Sequence, residues 1–215
     1  MLSVVSPALI LAVAPVTLII ALSLVVSAQT SGAVVGFALA RTLSIGIATG
    51  AVAFASSVMA PDTVALRTVA SVLELALAAI LLGIAVWAWI RRSERVEEPA
   101  WMMRVGEIGW RFGAAVGLVI WLVNPKAVVT VIITGLVFGA ASAPVAAGSI
   151  AAFTLLGSAP VLAIALTRAL VGTSAGAFFA RIRTWLIERG WSVLTAISLL
   201  VALLLLFDAL GGLAK

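Results

Sequence analysis

The chain contains no cysteine and no histidine, and only 10% of its 215 residues are charged. Without cysteine there are no disulfides and no thiol redox chemistry, and without either residue the usual zinc clusters and imidazole acid/base catalysis are excluded. A soluble domain carries about 25% charged residues, so water is not the main solvent of this protein. Its apolar stretches hold no carboxylate pair either, which leaves the common acid/base and nucleophilic arrangements of an enzyme without their parts. The chain reads as a non-enzyme with no cofactor.

What is present is apolar sequence, 64% of the whole. Hydrophobic runs fall at about 3–27, 33–57, 68–90, 112–138, 145–167 and 191–213, each close to the roughly 20 residues needed to cross a bilayer. In lipid each backbone donor and acceptor needs a partner within its own segment, and the alternation of a barrel strand is missing, so the runs are expected to be helices. Gln29-Thr30-Ser31-Gly32, Ala60-Pro61-Asp62 and Ser142-Ala143-Pro144 supply turns between them. Residues 1–28 read as the first helix and not a secretory signal, because the run is too long and no Lys or Arg precedes it. The expected architecture is an all-α integral membrane protein of about six transmembrane helices, with no space for a soluble domain.

Arg91, Arg92, Arg95, Arg104 and Arg111 lie between helices three and four, and Arg168, Arg181, Arg183 and Arg189 between five and six. The opposite side has Arg67 and Lys215. The positive-inside rule therefore places the basic loops in the cytoplasm and both termini outside. The net charge of +5 is read as loops facing an anionic leaflet, not as a nucleic-acid surface. Three helices then three imply two halves of opposite orientation: residues 1–90 as a first repeat, 91–111 as a charged cytoplasmic loop, and 112–215 as a second repeat. An interfacial segment near 172–190 is expected within the latter, with Phe178, Ile182, Trp185 and Leu186 at helical spacing.

Each half has a proline near the middle of its first helix, Pro15 and Pro125. Proline lacks an N–H and clashes with the carbonyl four residues earlier, so the carbonyls of Leu11 and Trp121 need other partners. Paired interruptions in inverted halves point to a transport site at mid-membrane. Lys126 lies too deep for its ammonium to reach an interface and costs at least about 2.5 kcal/mol there. It serves either to satisfy the freed carbonyls and lock the kink, or to line a translocation path with Asn124; Thr17 is the polar neighbour of Pro15 in helix one. Arg41 is balanced between an anchor and a site residue. Glu74 and Asp208 are placed near the outer ends of helices three and six as charge partners, and a Glu74–Lys126 pair would need a watery route. Helix one offers no carboxylate, so no metal site is expected. Pro160 marks a kink in helix five. Gly46 and Gly50, Gly109, Gly113 and Gly117, and Gly135 and Gly139 recur at a spacing of four, which lets helices approach closely and would suit a homodimer.

Six helices, the early proline and Asn124-Pro125-Lys126 resemble the lysine-exporter superfamily. The stretches Thr184-Trp185-Leu186-Ile187-Glu188-Arg189 and Leu203 to Leu213 are closer to its Gap-like branch, the peptidoglycolipid or sulfolipid-1 addressing proteins. The resemblance implies a plasma-membrane protein that exports a cell-envelope glycolipid or a small polar solute, with membrane lipids as its surroundings. Members often carry an acidic residue before the first proline and a basic one soon after; this chain has Ala14 and Thr17, so coupling to protons or cations there is not implied. The expectation is an exporter working through a site between helices one and four. The alternative is a non-transporting scaffold, an accessory subunit of a larger lipid-export machinery.

Overall fold

A computed structural model describes residues 2–27, 31–59, 63–94 and 109–213, apart from some side chains within them. Helix accounts for nearly all of this, and no strand occurs among the described residues. The helices are α1 (Leu2–Ala12), α2 (Pro15–Ser27), α3 (Gly32–Met59), α4 (Thr63–Ile90), α5 (Trp110–Ile120), α6 (Pro125–Gly139), α7 (Ala143–Val171) and α8 (Gly176–Leu213). Three of them, within α3, α7 and α8, are long and apolar enough to cross a membrane, and a fourth crossing results if α1 and α2, bent by 50°, count as one span. The shorter apolar helices include α5 and most of α6.

The two mid-helix prolines act as starters. Pro15 is the first residue of α2 and Pro125 the first of α6, with Asn124 in extended conformation before it. At the first position of a helix the missing N–H was unsatisfied anyway and the fixed φ is already helical, so a proline that ends one segment begins the next. Pro160, in contrast, lies inside α7 without interrupting it.

The interfacial segment differs from expectation. After a single 3-10 turn at Gly172–Ala175, residues 176–190 and the last apolar run form one continuous helix of 38 residues. Nothing between Gly176 and Leu213 breaks a helix: there is no proline, and an isolated glycine such as Gly190 costs only about 1 kcal/mol. The face expected from the spacing is also rotated. Phe179 and Leu186 are buried and Ile182 packs against the same core, while Phe178 and Trp185 are exposed.

Helix α3 is the spine of the bundle, running along α5, α6 and α7. Ala33 meets Gly113, Phe37 meets Gly117, Thr49 and Val52 meet Gly135, and Ala53 and Ser56 meet Gly139. Both numbers rise together, so α3 runs parallel to the α5–α6 line. Against α7 the order reverses, with Gly46 beside Thr154 and Arg41 beside Ser158. A Cβ on Gly113 or Gly117 would collide with the carbonyls of Ala33 and Phe37, so these glycines set the separation of the helices. Gly50 and Gly109 face open space and do not share that role. Helix α4 lies along α8, and α2 packs on α8. The contacts of Gly36 with Trp110, Ser23 with Arg183 and Trp87 with Trp191 bring the arginine-bearing helix ends to one end of the bundle.

Replacing Gly117 by leucine forces a side chain into the Phe37 carbonyl. Overpacking of this kind costs about 1–3 kcal/mol or more, and Gly117→Leu is expected to lower the yield of monodisperse protein and its unfolding midpoint in detergent. Gly50→Ala, which meets nothing, is expected to match the parent in both measurements.

Candidate functional site

The two helix breaks present different chemistry. At the first, the Leu11 carbonyl released by Pro15 accepts a hydrogen bond of 2.9 Å from Nη2 of Arg41. Nη1 of the same guanidinium donates to Ser158 Oγ at 3.1 Å and to the Gly157 carbonyl at 3.4 Å, and Arg41 is 1% exposed. One residue of α3 thus joins α1 to α7. Arg41 does not line the cavity described below; it is a fastening within the core and does not reach toward an interface. At the second break the Trp121 carbonyl accepts from the Asn124 N–H at 3.2 Å, closing a local turn. The Trp121 indole N–H donates to Ser44 Oγ at 2.8 Å, and that hydroxyl donates to the Arg41 carbonyl at 3.0 Å. Arg41 and Ser44, one turn of α3, therefore hold both breaks.

Because the turn absorbs the Trp121 carbonyl, Lys126 is not needed there. Its own carbonyl accepts from Thr130, while no described residue accepts a hydrogen bond from its ammonium or forms an ion pair with it. Lys126 is 8% exposed. It lines a cavity of about 330 Å³ that lies between the breaks. Ala14, Val16 and Thr17 come from the first break, Ile120, Val123, Asn124 and Lys126 from the second. Helix α4 adds Ile84, and α8 adds Gly190, Trp191 and Leu194.

Three of the sequence candidates, Thr17, Asn124 and Lys126, are brought to one cavity by this arrangement. The side chains of Pro15 and Pro125 lie outside the described residues, as do those of Glu74 and Asp208, and with them the suggested Glu74–Lys126 pair. Trp191 is a lining residue that sequence reasoning did not single out. Its ring stands edge-on to Trp87 with centroids 4.9 Å apart, Arg91 lies over Trp87 at 4.9 Å, and its indole nitrogen is buried without an acceptor among the described residues. The only prior signal was its place at the start of the last apolar run, where interfacial tryptophans gather.

The electrostatics are one-sided. Among the described residues the lining carries one cation, an amide, a hydroxyl and an indole N–H, and no carboxylate. No cluster that could hold a metal ion occurs among the described residues. Toward the arginine-bearing end, Ile84 and Trp191 place the cavity near the ends of the apolar runs. On the far side of the breaks, Ile10, Leu81, Ile133 and Val201, from α1, α4, α6 and α8, belong to one buried apolar cluster that closes the gap between the helices. The cavity is suited to a group with negative oxygen atoms.

A family model described as "Sap, sulfolipid-1-addressing protein" matches residues 4–211, nearly the whole chain. No curated protein and no solved structure matches.

Removal of the Arg41 donor leaves the Leu11 carbonyl without a partner inside lipid, at a cost of about 1–3 kcal/mol. Arg41→Met is accordingly expected to lower the thermal unfolding midpoint in detergent, and Arg41→Lys to recover part of the loss. An unchanged midpoint in Arg41→Met would show that the carbonyl is satisfied by another route.

Proposed function

The chain belongs to the sulfolipid-1-addressing protein family, and we propose that it is an exporter that moves an anionic substrate, a cell-envelope lipid or a small polar solute, outward through the cavity between its two helix breaks. The observation that carries this reading is the buried Lys126 ammonium, which faces a cavity that offers it neither a carboxylate nor another partner among the described residues. A cation held in that setting costs at least about 2.5 kcal/mol. An anionic oxygen entering the cavity offsets the cost and gains a charge-assisted hydrogen bond. Asn124 and Thr17 would then orient the group, and Val16, Ile84 and Leu194 would exclude water around it.

In this proposal the molecule is two inverted three-helix units, with α1–α2 and α5–α6 each counted as one broken span. The packing supports it. Helix α3 packs on α5 and α6 much as α7 packs on α1 and α2, and α4 and α8 pair with each other. Discontinuous helices at the interface of two such units are the usual setting of a midplane substrate site. With the arginine-bearing end in the cytoplasm of a plasma-membrane protein, both termini lie outside and the cavity faces inward. The apolar cluster around Ile10, Leu81, Ile133 and Val201 is then the outer barrier, and export requires it to part.

Purified protein in liposomes tests the proposal. Transport of an anionic substrate is expected without any added partner; strict dependence on a partner would overturn it in favour of the accessory-subunit reading. Lys126→Met removes a charged hydrogen bond worth about 1.5–3 kcal/mol, so the affinity for the anion is expected to fall roughly ten- to a hundredfold. Normal transport by Lys126→Met would end the proposal.

A further inference from the structure

We infer that Thr134 and Ser198 line the outward half of the translocation path, where their hydroxyls meet water and the departing anion once the apolar closure beyond the Lys126 cavity parts. This rests on the exporter reading and extends the path past its binding site. On α8, Trp191 and Leu194 line the cavity, while Val201 and Ala202 belong to the apolar cluster. Spacings of three and four residues put Ser198 on the same face of the helix, between the cavity and the cluster. On α6, Lys126, Thr130 and Thr134 follow one another at intervals of about one turn, all buried. They lead roughly 12 Å away from the cavity at 1.5 Å per residue. Ile133, next to Thr134, is a member of the cluster.

Both hydroxyls are out of place in the closed arrangement. A serine or threonine inside an apolar helix can satisfy its hydroxyl by donating to the carbonyl four residues earlier. Thr42, Thr49, Thr130 and Thr195 do so. Thr134 and Ser198 are 3% and 0% exposed, and their hydroxyls have no hydrogen-bond partner among the described residues. A hydroxyl buried in this way loses the hydrogen bonds of water and gains none, so it weakens the closure in which it sits. The same hydroxyls become useful when the helices separate. An opening walled by apolar side chains alone gates by staying dry, and an anion crossing it would keep no hydrogen bonds; hydroxyls from α6 and α8 supply them. A third hydroxyl without a partner among the described residues, that of Thr154, lies against Gly46 where α7 packs on α3, off this route.

The chain has no cysteine, so single cysteines can be introduced without a background thiol. The test treats the full-length protein in nanodiscs with 2-sulfonatoethyl methanethiosulfonate, an anionic reagent that reaches both faces of the bilayer, and follows modification by mass spectrometry. Ser142→Cys, in the exposed turn before α7, sets the upper limit of the rate. Thr134→Cys and Ser198→Cys are expected to react several-fold faster than Thr154→Cys, which is also buried, and than Leu203→Cys on the exposed flank of α8. A trimethylammonium reagent of similar size is expected to react more slowly at both path positions, and that preference is expected to vanish in the Lys126→Met background. Ser198→Ala is expected to keep the unfolding midpoint at or above that of the parent, because no hydrogen bond is lost; a clear drop would assign the hydroxyl to the fold and overturn its place in the path. If Thr134→Cys and Ser198→Cys react as slowly as Thr154→Cys, the closure does not open along them and the inference is overturned, although the anion site stands as long as glycerol phosphate binding depends on Lys126. If that binding is insensitive to Lys126→Met, the exporter reading itself falls.

Discussion

A carbonyl released by a proline within hydrocarbon has to find a donor inside the protein, because lipid supplies none. In this molecule the Leu11 carbonyl finds Arg41, and the arrangement of the neighbouring helices follows from that bond. Arg41 is drawn fully into the core, where Ser158 Oγ and the Gly157 carbonyl accept from its Nη1, while its Nε is buried without an acceptor among the described residues. The first break, α3 and α7 are thereby tied at one level. A small residue is needed at Gly157, since the Leu11 side chain and the Ala8 carbonyl lie close to it.

The second break is closed differently. Its carbonyl is closed by a turn into the Asn124 N–H, and its tryptophan is fixed to Ser44, three residues from Arg41 on the same helix. One turn of α3 therefore sets the relative position of both breaks, while glycines on α5 and α6 bring those helices against the α3 backbone. The two separate interruptions thereby share one support. Lys126, released from any structural duty toward the Trp121 carbonyl, faces the cavity between them.

Beside the two helix breaks lie a cavity that holds the few polar groups, Thr17, Asn124 and Lys126, within apolar walls, and beyond it a wholly apolar cluster. Their residues come from the same helices: α4 contributes Ile84 to the one and Leu81 to the other, and α8 contributes Leu194 and Val201. A displacement of α4 and α8 as a pair would therefore move the walls of both at once. Among the described residues, α4 and α8 lie along each other.

Composition and periodicity determine much of this protein. A chain with 64% hydrophobic residues, few charges and no strand alternation is expected to be helical in a membrane, and Pro15 and Pro125 each remove one backbone donor wherever they are placed, although Pro160 does so without interrupting α7. Tertiary structure decided which donor met each freed carbonyl. Sequence left Arg41 between anchor and site, and only the approach of α1 and α7 to α3 gave its guanidinium its acceptors; it left the partner of the Trp121 carbonyl open, and the local turn supplies the Asn124 N–H there. The interfacial segment and the last apolar run merged because no local residue separated them, and Trp191 entered the cavity lining because α8 packs against α4. Backbone restrictions are written residue by residue, whereas the partner of a buried polar group depends on which helices come to lie beside it.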